Sequence, residues 1–368
     1  MTPAESHADE APLLHMRDLR IEGLTGETWS EIVKGVDTRL NRREVLGLIG
    51  ESGAGKSTMG LAAMGFARDG CRISGGEVLF DGVDLLGLKE PERRRLRGSR
   101  IAYVAQSAAA AFNPARKLGN QVCETAVQHG VMSPEAARRR AWELYAKLQL
   151  PHPETFGRRY PHQVSGGQLQ RAMTAMAMIC GPDLIIFDEP TTALDVTTQI
   201  EVLAAIKTAI REERTSALYI THDLAVVGQI ADRIKVLYGG EEVEEGETER
   251  ILYHPREPYT RQLVGVRQVV AETKHVGDGV AATEVENVNA AYSESMLVLQ
   301  GVSLSVTRGT TAAVVGESGS GKSTLARVMT GLLPPVSGTI RLAGEGLPPA
   351  LKQRSKEQLR RLQMIYQM

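Results

Sequence analysis

Gly50, Glu51, Ser52, Gly53, Ala54, Gly55, Lys56, Ser57 and Thr58 form a loop in which glycines lead into a lysine and a hydroxyl residue. That order suits a grip on polyphosphate. Glycines let successive backbone N–H groups turn inward, the lysine reaches the terminal phosphates, and the serine hydroxyl can coordinate Mg²⁺. The loop recurs as Gly316, Glu317, Ser318, Gly319, Ser320, Gly321, Lys322, Ser323 and Thr324, with Ser320 in place of Ala54. Two such loops in similar surroundings imply that nucleoside triphosphate is bound.

Four further groups could act on that ligand. Asp188 and Glu189 close the apolar run "DLIIF", where Asp188 would hold Mg²⁺ and Glu189 would polarise an attacking water as general base. His222 follows the run "LYIT" and is placed for a γ-phosphate contact. Gln106 ends "IAYVA"; its amide can reach the metal or the water, and position alone leaves an ordinary strand-end glutamine equally open. Ser165, Gly166, Gly167 and Gln168 precede a helix pattern, a second set of free N–H groups able to hold anionic oxygen. One phosphate loop needs no second anion grip, so two such domains meeting head to tail is the expectation.

These groups need elements to carry them. "VLGLI" (45–49) and "TAAVV" (311–315) read as buried strands, each running into its loop and then a helix-forming stretch. Strands are also expected over 74–82, 99–106, 183–190, 216–223 and, in the second copy, 337–344 and 361–367. Helices are expected over 119–130, 133–150, 168–180 and 196–213, with Ser133 capping the second of these. Residues 233–247 read as a hairpin turning at Gly239-Gly240. The alternation predicts a mainly parallel sheet covered on both faces. Residues 284–292 read as an edge strand opening the second copy, after a linker over 268–283.

The 368 residues carry a formal net charge of -1, so no global basic field exists to hold nucleic acid. Three scattered cysteines, Cys71, Cys123 and Cys180, share no metal-ligand spacing. No apolar run reaches the roughly 18 residues of a membrane-spanning helix, and "MTPAESHADEAP" has no signal-peptide pattern. Any membrane role would therefore act through a partner.

The set Gly50–Thr58, Gln106, Ser165–Gln168, Asp188-Glu189, "TTALD" (191–195) and His222 resembles the nucleotide-binding domain of ATP-binding-cassette transporters. In order, these are similar to that family's Walker A, Q-loop, signature, Walker B, D-loop and switch histidine, with Val164 where the signature usually has leucine. "RYPHQVSGGQLQRA" (159–172), "FNP" (112–114) and "HPREPYTRQLV" (254–264) resemble its dipeptide, oligopeptide and nickel importer branch, and the double arrangement resembles fused members of that branch.

The resemblance implies an α/β P-loop NTPase fold with a mainly parallel sheet, an antiparallel β subdomain and a helical subdomain, plus an incomplete second copy. It implies a complete cassette over 13–267 and a partial one over 284–368. ATP and Mg²⁺ are the implied cofactors, with Ser57, Gln106 and Asp188 on the metal, Ser323 and Gln367 in those roles in the second copy, and Asp195 at the nucleotide. The implied adenine-stacking aromatic is Tyr292 in the second copy; in the first the matching position is Gly23, with Trp29 as the alternative. Implied partners are two integral-membrane permease subunits, a periplasmic or extracellular solute-binding protein and a second cassette. The implied place is the cytoplasmic face of the bacterial inner membrane, as a peripheral subunit. Two other readings stay open: a soluble cassette ATPase without a permease, and a non-hydrolysing truncated cassette. The second copy reaches its Q-loop and has no signature, Walker B or switch histidine, so the expectation is a fragment of a fused two-cassette ATPase.

Overall fold

The computed structural model describes residues 11–192, 194–265, 279–293, 296–316 and 319–366. The chain divides into two compact units, Met1–Gln268 and Val269–Met368.

The first unit opens with β1 (Leu14–Thr25), β2 (Thr28–Leu40), β3 (Val45–Gly50), α1 (Lys56–Ala62), β4 (Cys71–Phe80) and β5 (Val83–Asp84). An antiparallel sheet runs β2-β1-β4-β5. Leu14 and Met16 of β1 face its core; the register then shifts around Asp18, at φ 42°, and Leu19 and Ile21 face it again. A bulge thus absorbs what would otherwise be a break in the two-residue alternation.

After α2 (Glu90–Leu96) and β6 (Ile101–Val104) comes a helical block: α3 (Ala108–Ala111), α4 (Leu118–Gln128), α5 (Pro134–Lys147), α6 (Pro153–Phe156) and α7 (Gly166–Met178). The Ser133 hydroxyl accepts the Ala136 N–H at the start of α5, with Pro134 in the first turn, as the sequence predicts. Leu118, Val122 and Ala126 of α4 and Ala137, Ala141 and Leu144 of α5, at spacings of three and four, bury their faces in one core with α7. Tyr145 closes it edge to face on Phe156, with ring centroids 5.1 Å apart.

The chain then runs β7 (Leu184–Asp188), α8 (Val196–Glu213), β8 (Ser216–Ile220), α9 (Leu224–Ile230), β9 (Arg233–Tyr238), β10 (Glu241–Glu247), α10 (Thr248–Tyr253) and α11 (Pro258–Gly265). The second sheet has the order β10-β9-β3-β8-β7-β6, parallel throughout except for the edge strand β10. Every residue of β3, β7 and β8 is buried, the signature of strands covered on both faces.

The second unit holds β11 (Ala281–Ser293), β12 (Met296–Thr307), α12 (Lys322–Met329), β13 (Ser337–Leu342), β14 (Glu345–Gly346) and α13 (Lys356–Arg361). Its sheet is β12-β11-β13-β14, so the segment expected at an edge, within β11, lies between two partners. Residues 268–278 of the expected linker are outside the described residues, and 281–283 belong to β11. Among the described residues, two expected strands do not form. Residues 310–316 form no strand and are exposed, Val315 to 87%, and 362–366 form none either, with Ile365 97% exposed. The reason lies in the first unit, where β3 is hydrogen-bonded between β8 and β9 and β6 lies beside β7. Among the described residues of 284–368 there are no counterparts of β7, β8 or β9, and an apolar run without a ladder partner does not settle as a strand.

This contrast generates a stability prediction. Ile185→Ala, in the fully buried β7, should destabilise the first unit by about 2–5 kcal/mol, lowering its thermal midpoint by roughly 5–15 °C. Val315→Ala should stay within about 0.5 kcal/mol. Equal effects in calorimetry would contradict this account of the two apolar runs.

Candidate active site

Strand β3 delivers the first phosphate loop at its carboxyl end. Gly50 has φ 154°, and a Cβ there would stand 2.1 Å from the Leu237 carbonyl of β9. Gly55 caps α1 at φ 89°, against Val33 and Ile32 of β2. Both sites admit only glycine, for backbone angle and for space. Lys56 is 5% exposed, and its ammonium donates to the carbonyls of Gly50 and Glu51, each at 2.8 Å. Burial pushes its pKa down, while Glu189 and Asp188 push it back up.

The neighbouring strand ends supply the other groups. Ser57 donates to Asp188 Oδ1 at 2.8 Å. Glu189, at φ 48°, accepts from Gln106 Nε2 at 3.2 Å and from the Thr192 hydroxyl at 3.1 Å, and its Oε1 lies 3.0 Å from His222 Nδ1. Four parts of the chain, Lys56-Ser57, Gln106, Asp188-Glu189 and His222, are therefore brought together, with side-chain bonds linking Ser57 to Asp188 and Gln106 and His222 to Glu189. A cleft of about 300 Å³ lies over it, lined by Ser52, Gly53, Gly55, Lys56, Ser57, Thr58 and Glu189, with Ile32 and Arg68 at the side.

The arrangement can hold phosphate on Lys56 and the N–H groups entering α1. Ser57 and Asp188 offer hard oxygen donors that fit Mg²⁺, and Gln106 adds an amide nearby. No set of three or more His, Cys, Asp or Glu side chains among the described residues makes an all-protein metal cage.

Other expected residues lie elsewhere. Ser165 and Gln168 pair reciprocally at the start of α7, the Ser165 hydroxyl accepting the Gln168 N–H and the Gln168 side chain the Ser165 N–H, both at 3.3 Å. None of Ser165, Gly166, Gly167 and Gln168 lines the cleft. Gly167 is instead pressed on α8, where a Cβ would meet Thr198 Cγ2 at 2.3 Å. Asp195 caps α8, accepting from the Thr198 N–H at 3.0 Å and its hydroxyl at 2.9 Å. Trp29 does not line the cleft, and its ring is covered by Arg72, 4.3 Å from the centroid. A Cβ on Gly23 would stand 2.4 Å from Ile32 Cδ1, so an aliphatic side chain occupies that corner.

The second loop repeats the backbone of the first: φ is 155°, 84° and 94° at Gly316, Gly319 and Gly321, against 154°, 86° and 89° at Gly50, Gly53 and Gly55. Lys322 donates to the Gly316 carbonyl at 2.7 Å. The Tyr292 hydroxyl reaches Thr324 Oγ1 at 3.3 Å and accepts from Arg327 at 3.0 Å, which holds the ring beside the loop. Glu317, Ser318 and Gln367 are outside the described residues.

Sequence reasoning missed Tyr103. Its hydroxyl donates to Asp188 Oδ2 at 2.5 Å. Burial, then the adjacent carboxylate, drives the phenol's pKa far up, so it stays a donor. Asp188 is thus held from both sides, by Ser57 and by Tyr103. The available signal was one phenol in an otherwise aliphatic strand beside β7. An outer hydrogen bond to a metal ligand carries about 10–100-fold in affinity. Tyr103→Phe should therefore raise the Mg²⁺ concentration needed for half-maximal nucleotide binding by about 10-fold or more, read by titration with a fluorescent ATP analogue. An unchanged midpoint would remove Tyr103 from the site.

The family model described as ABC transporter matches residues 33–192 and 299–368. The oligopeptide transport ATP-binding protein OppD of Bacillus subtilis (strain 168) is 41% identical over 253 residues, 68% of this chain and 71% of that protein. The glutathione import ATP-binding protein GsiA of Escherichia coli O157:H7 is 33% identical over 411 aligned positions, covering 99% of this chain and 65% of that protein. Among solved structures, the dimeric ATP-binding cassette MJ0796, in a post-hydrolysis state bound to ADP and Pi, superposes with a TM-score of 0.57 at 28% identity, over 64% of this chain and 98% of that one. With the family model spanning more than half of its residues and the cassette fold around its phosphate loop, the chain belongs to the ABC transporter family.

Proposed function

We propose that this chain is the ATP-binding and ATP-hydrolysing subunit of an importer for peptides or a related small solute. The observation that carries the reading is the cluster of Lys56, Ser57, Gln106, Asp188, Glu189 and His222, of which Lys56, Ser57 and Glu189 line one cleft. The likeness to oligopeptide and glutathione import ATP-binding proteins supports the choice of solute class.

Each side chain has a role in this reading. Lys56 exchanges its two carbonyl partners for the β- and γ-phosphate oxygens. Ser57 and Asp188, with Gln106 beside them, hold Mg²⁺, which when bound neutralises charge on the phosphates. Glu189 accepts the proton of the attacking water, and the His222 ring, paired to its Oε1, steadies it and faces the γ-phosphate. The second loop, residues 316–324, holds a second nucleotide, with Tyr292 against the adenine and Ser323 and Gln367 on its metal.

The signature residues Ser165 to Gln168 do not line their own cleft, which supports their closing over the phosphate loop of another cassette, with Asp195 at that seam. In the same reading residues 13–267 are a complete cassette and 284–368 the start of a second, joined through 268–283, in a fused two-cassette protein. Among the described residues no helix is long and apolar enough to cross a membrane. In this reading the subunit works peripherally, at the cytoplasmic face of a bacterial inner membrane, on two permease subunits fed by a solute-binding protein.

Two measurements test this. Glu189→Gln should keep ATP-analogue binding and lower hydrolysis by about 10²–10⁴-fold, the range for a lost general base; hydrolysis at the parent rate would overturn its role. For the 368-residue chain, hydrolysis per molecule should fall on dilution as paired copies of the chain separate. A rate that stays high in a monomer shown by light scattering would refute the shared seam.

A further inference from the structure

The segment "HPREPYTRQLV" (254–264) has no part in the site as built so far, yet it is fixed with unusual care. Glu244 of β10 is buried, and its carboxylate accepts the N–H of Arg256 at 3.1 and 3.2 Å and the N–H of Glu257 at 3.1 Å, while also receiving Arg250 at 2.6 Å. These bonds anchor the entry to α11. From there Tyr259, Leu263 and Val264 pack on a core that includes Ile49, the residue just before Gly50. The Tyr259 ring lies 4.5 Å from the Tyr238 ring at the end of β9. Its hydroxyl accepts the backbone N–H of Glu51 at 3.3 Å.

That last bond matters because of what shares the peptide unit. The Glu51 N–H and the Gly50 carbonyl belong to one planar trans peptide, so fixing the first fixes the direction of the second. The Gly50 carbonyl is one of the two oxygens that hold Lys56 Nζ. The contacts run without a gap from Glu244, through α11 and Tyr259, to the Gly50–Glu51 peptide and the Lys56 ammonium.

We propose that Tyr259 is a positioning residue for the phosphate loop: through the Gly50–Glu51 peptide it sets the resting place of Lys56, and so couples the tail segment to nucleotide affinity. The proposal rests on the reading of this loop as an ATP site. Tyr259 touches no reacting atom. Its loss should therefore appear in binding, with little change in the hydrolysis rate at saturating ATP. A neutral hydrogen bond contributes about 0.5–1.5 kcal/mol, which corresponds to roughly 2- to 13-fold in a dissociation constant.

The test uses the whole chain and trinitrophenyl-ATP as probe. Tyr259→Phe keeps the ring and removes only the hydroxyl, so the thermal midpoint should stay within about 2 °C of the parent while Kd and KM for ATP rise roughly 3–10-fold and kcat changes by less than twofold. Tyr238→Phe, which retains the ring pair, serves as control and should leave Kd unchanged. If Tyr259→Phe binds as tightly as the parent, or if Tyr238→Phe weakens binding as much, the proposal fails and the tail is only packing. If the parent itself shows no binding that Lys56→Ala abolishes, the reading of the site as an ATP site fails instead.

Discussion

The parallel ladder of β6, β7, β8 and β3 is the constraint on which the site depends. Its register pairs Val104 with Phe187, Asp188 with Ile220, and Ile220 with Leu48. Those pairings end the strands at one level, so the residues that follow, Gly50, Gln106, Glu189 and His222, emerge along a single edge. A parallel sheet offers a favourable place for this, because all its carboxyl ends lie on one side and loops there converge on a shared crevice. A slip of one residue in β7 would turn Asp188 away from Ser57 and Tyr103 and dismantle the cluster without disturbing the core's composition.

The two phosphate loops separate what is local from what the ladder supplies. Their glycine dihedrals agree to within a few degrees, so the loop's backbone is written in its own sequence. The surroundings are not. Lys56 is almost wholly buried and Ser57 has a carboxylate partner, whereas the described residues of the second unit include no counterpart of β7 to bring one to Ser323. Gly50 presses on the Leu237 carbonyl of β9, while among the described residues the space beside Gly316 meets its own Ser320. A phosphate loop can thus take its shape with few neighbours, but depth and charge come from the sheet.

Much of the first unit was legible because its signals were local. The all-apolar runs of β3, β7 and β8, the Ser133-Pro134 start of α5 and the hairpin turning at Gly239-Gly240 all stand where the pattern placed them. The loop residues and Asp188, Glu189 and His222 were legible for the same reason. Failures came where the outcome depends on distant partners. Residues 311–315 have the pattern of β3 but no β8 or β9 beside them, and the segment opening the second copy gained a partner on each side. Tyr103 escaped because a tyrosine in a strand usually fills space, and only the strand order shows its hydroxyl aimed at Asp188. Tyr259 escaped because the chain separates it from Glu51 by most of a domain.

The backbone of Glu189 shows how the ladder and the chemistry are joined. Its N–H still donates to the Ile220 carbonyl at 2.9 Å, continuing the β8 pairing past the end of β7. Its φ of 48° then leaves the extended region, a conformation that costs a non-glycine residue about 1–3 kcal/mol. In an unbroken strand, successive side chains point to opposite faces, and Glu189 would be turned from the side that Asp188 serves. The left-handed residue breaks that alternation at the point where two adjacent carboxylates join one cluster. Asp188 then meets Ser57 and Tyr103, and Glu189 meets Gln106, Thr192 and His222. The strain is sustained by bonds on both sides of it, the ladder behind and three side chains in front. Relaxing it would give back local energy at the expense of the arrangement in which Glu189 lines the cleft.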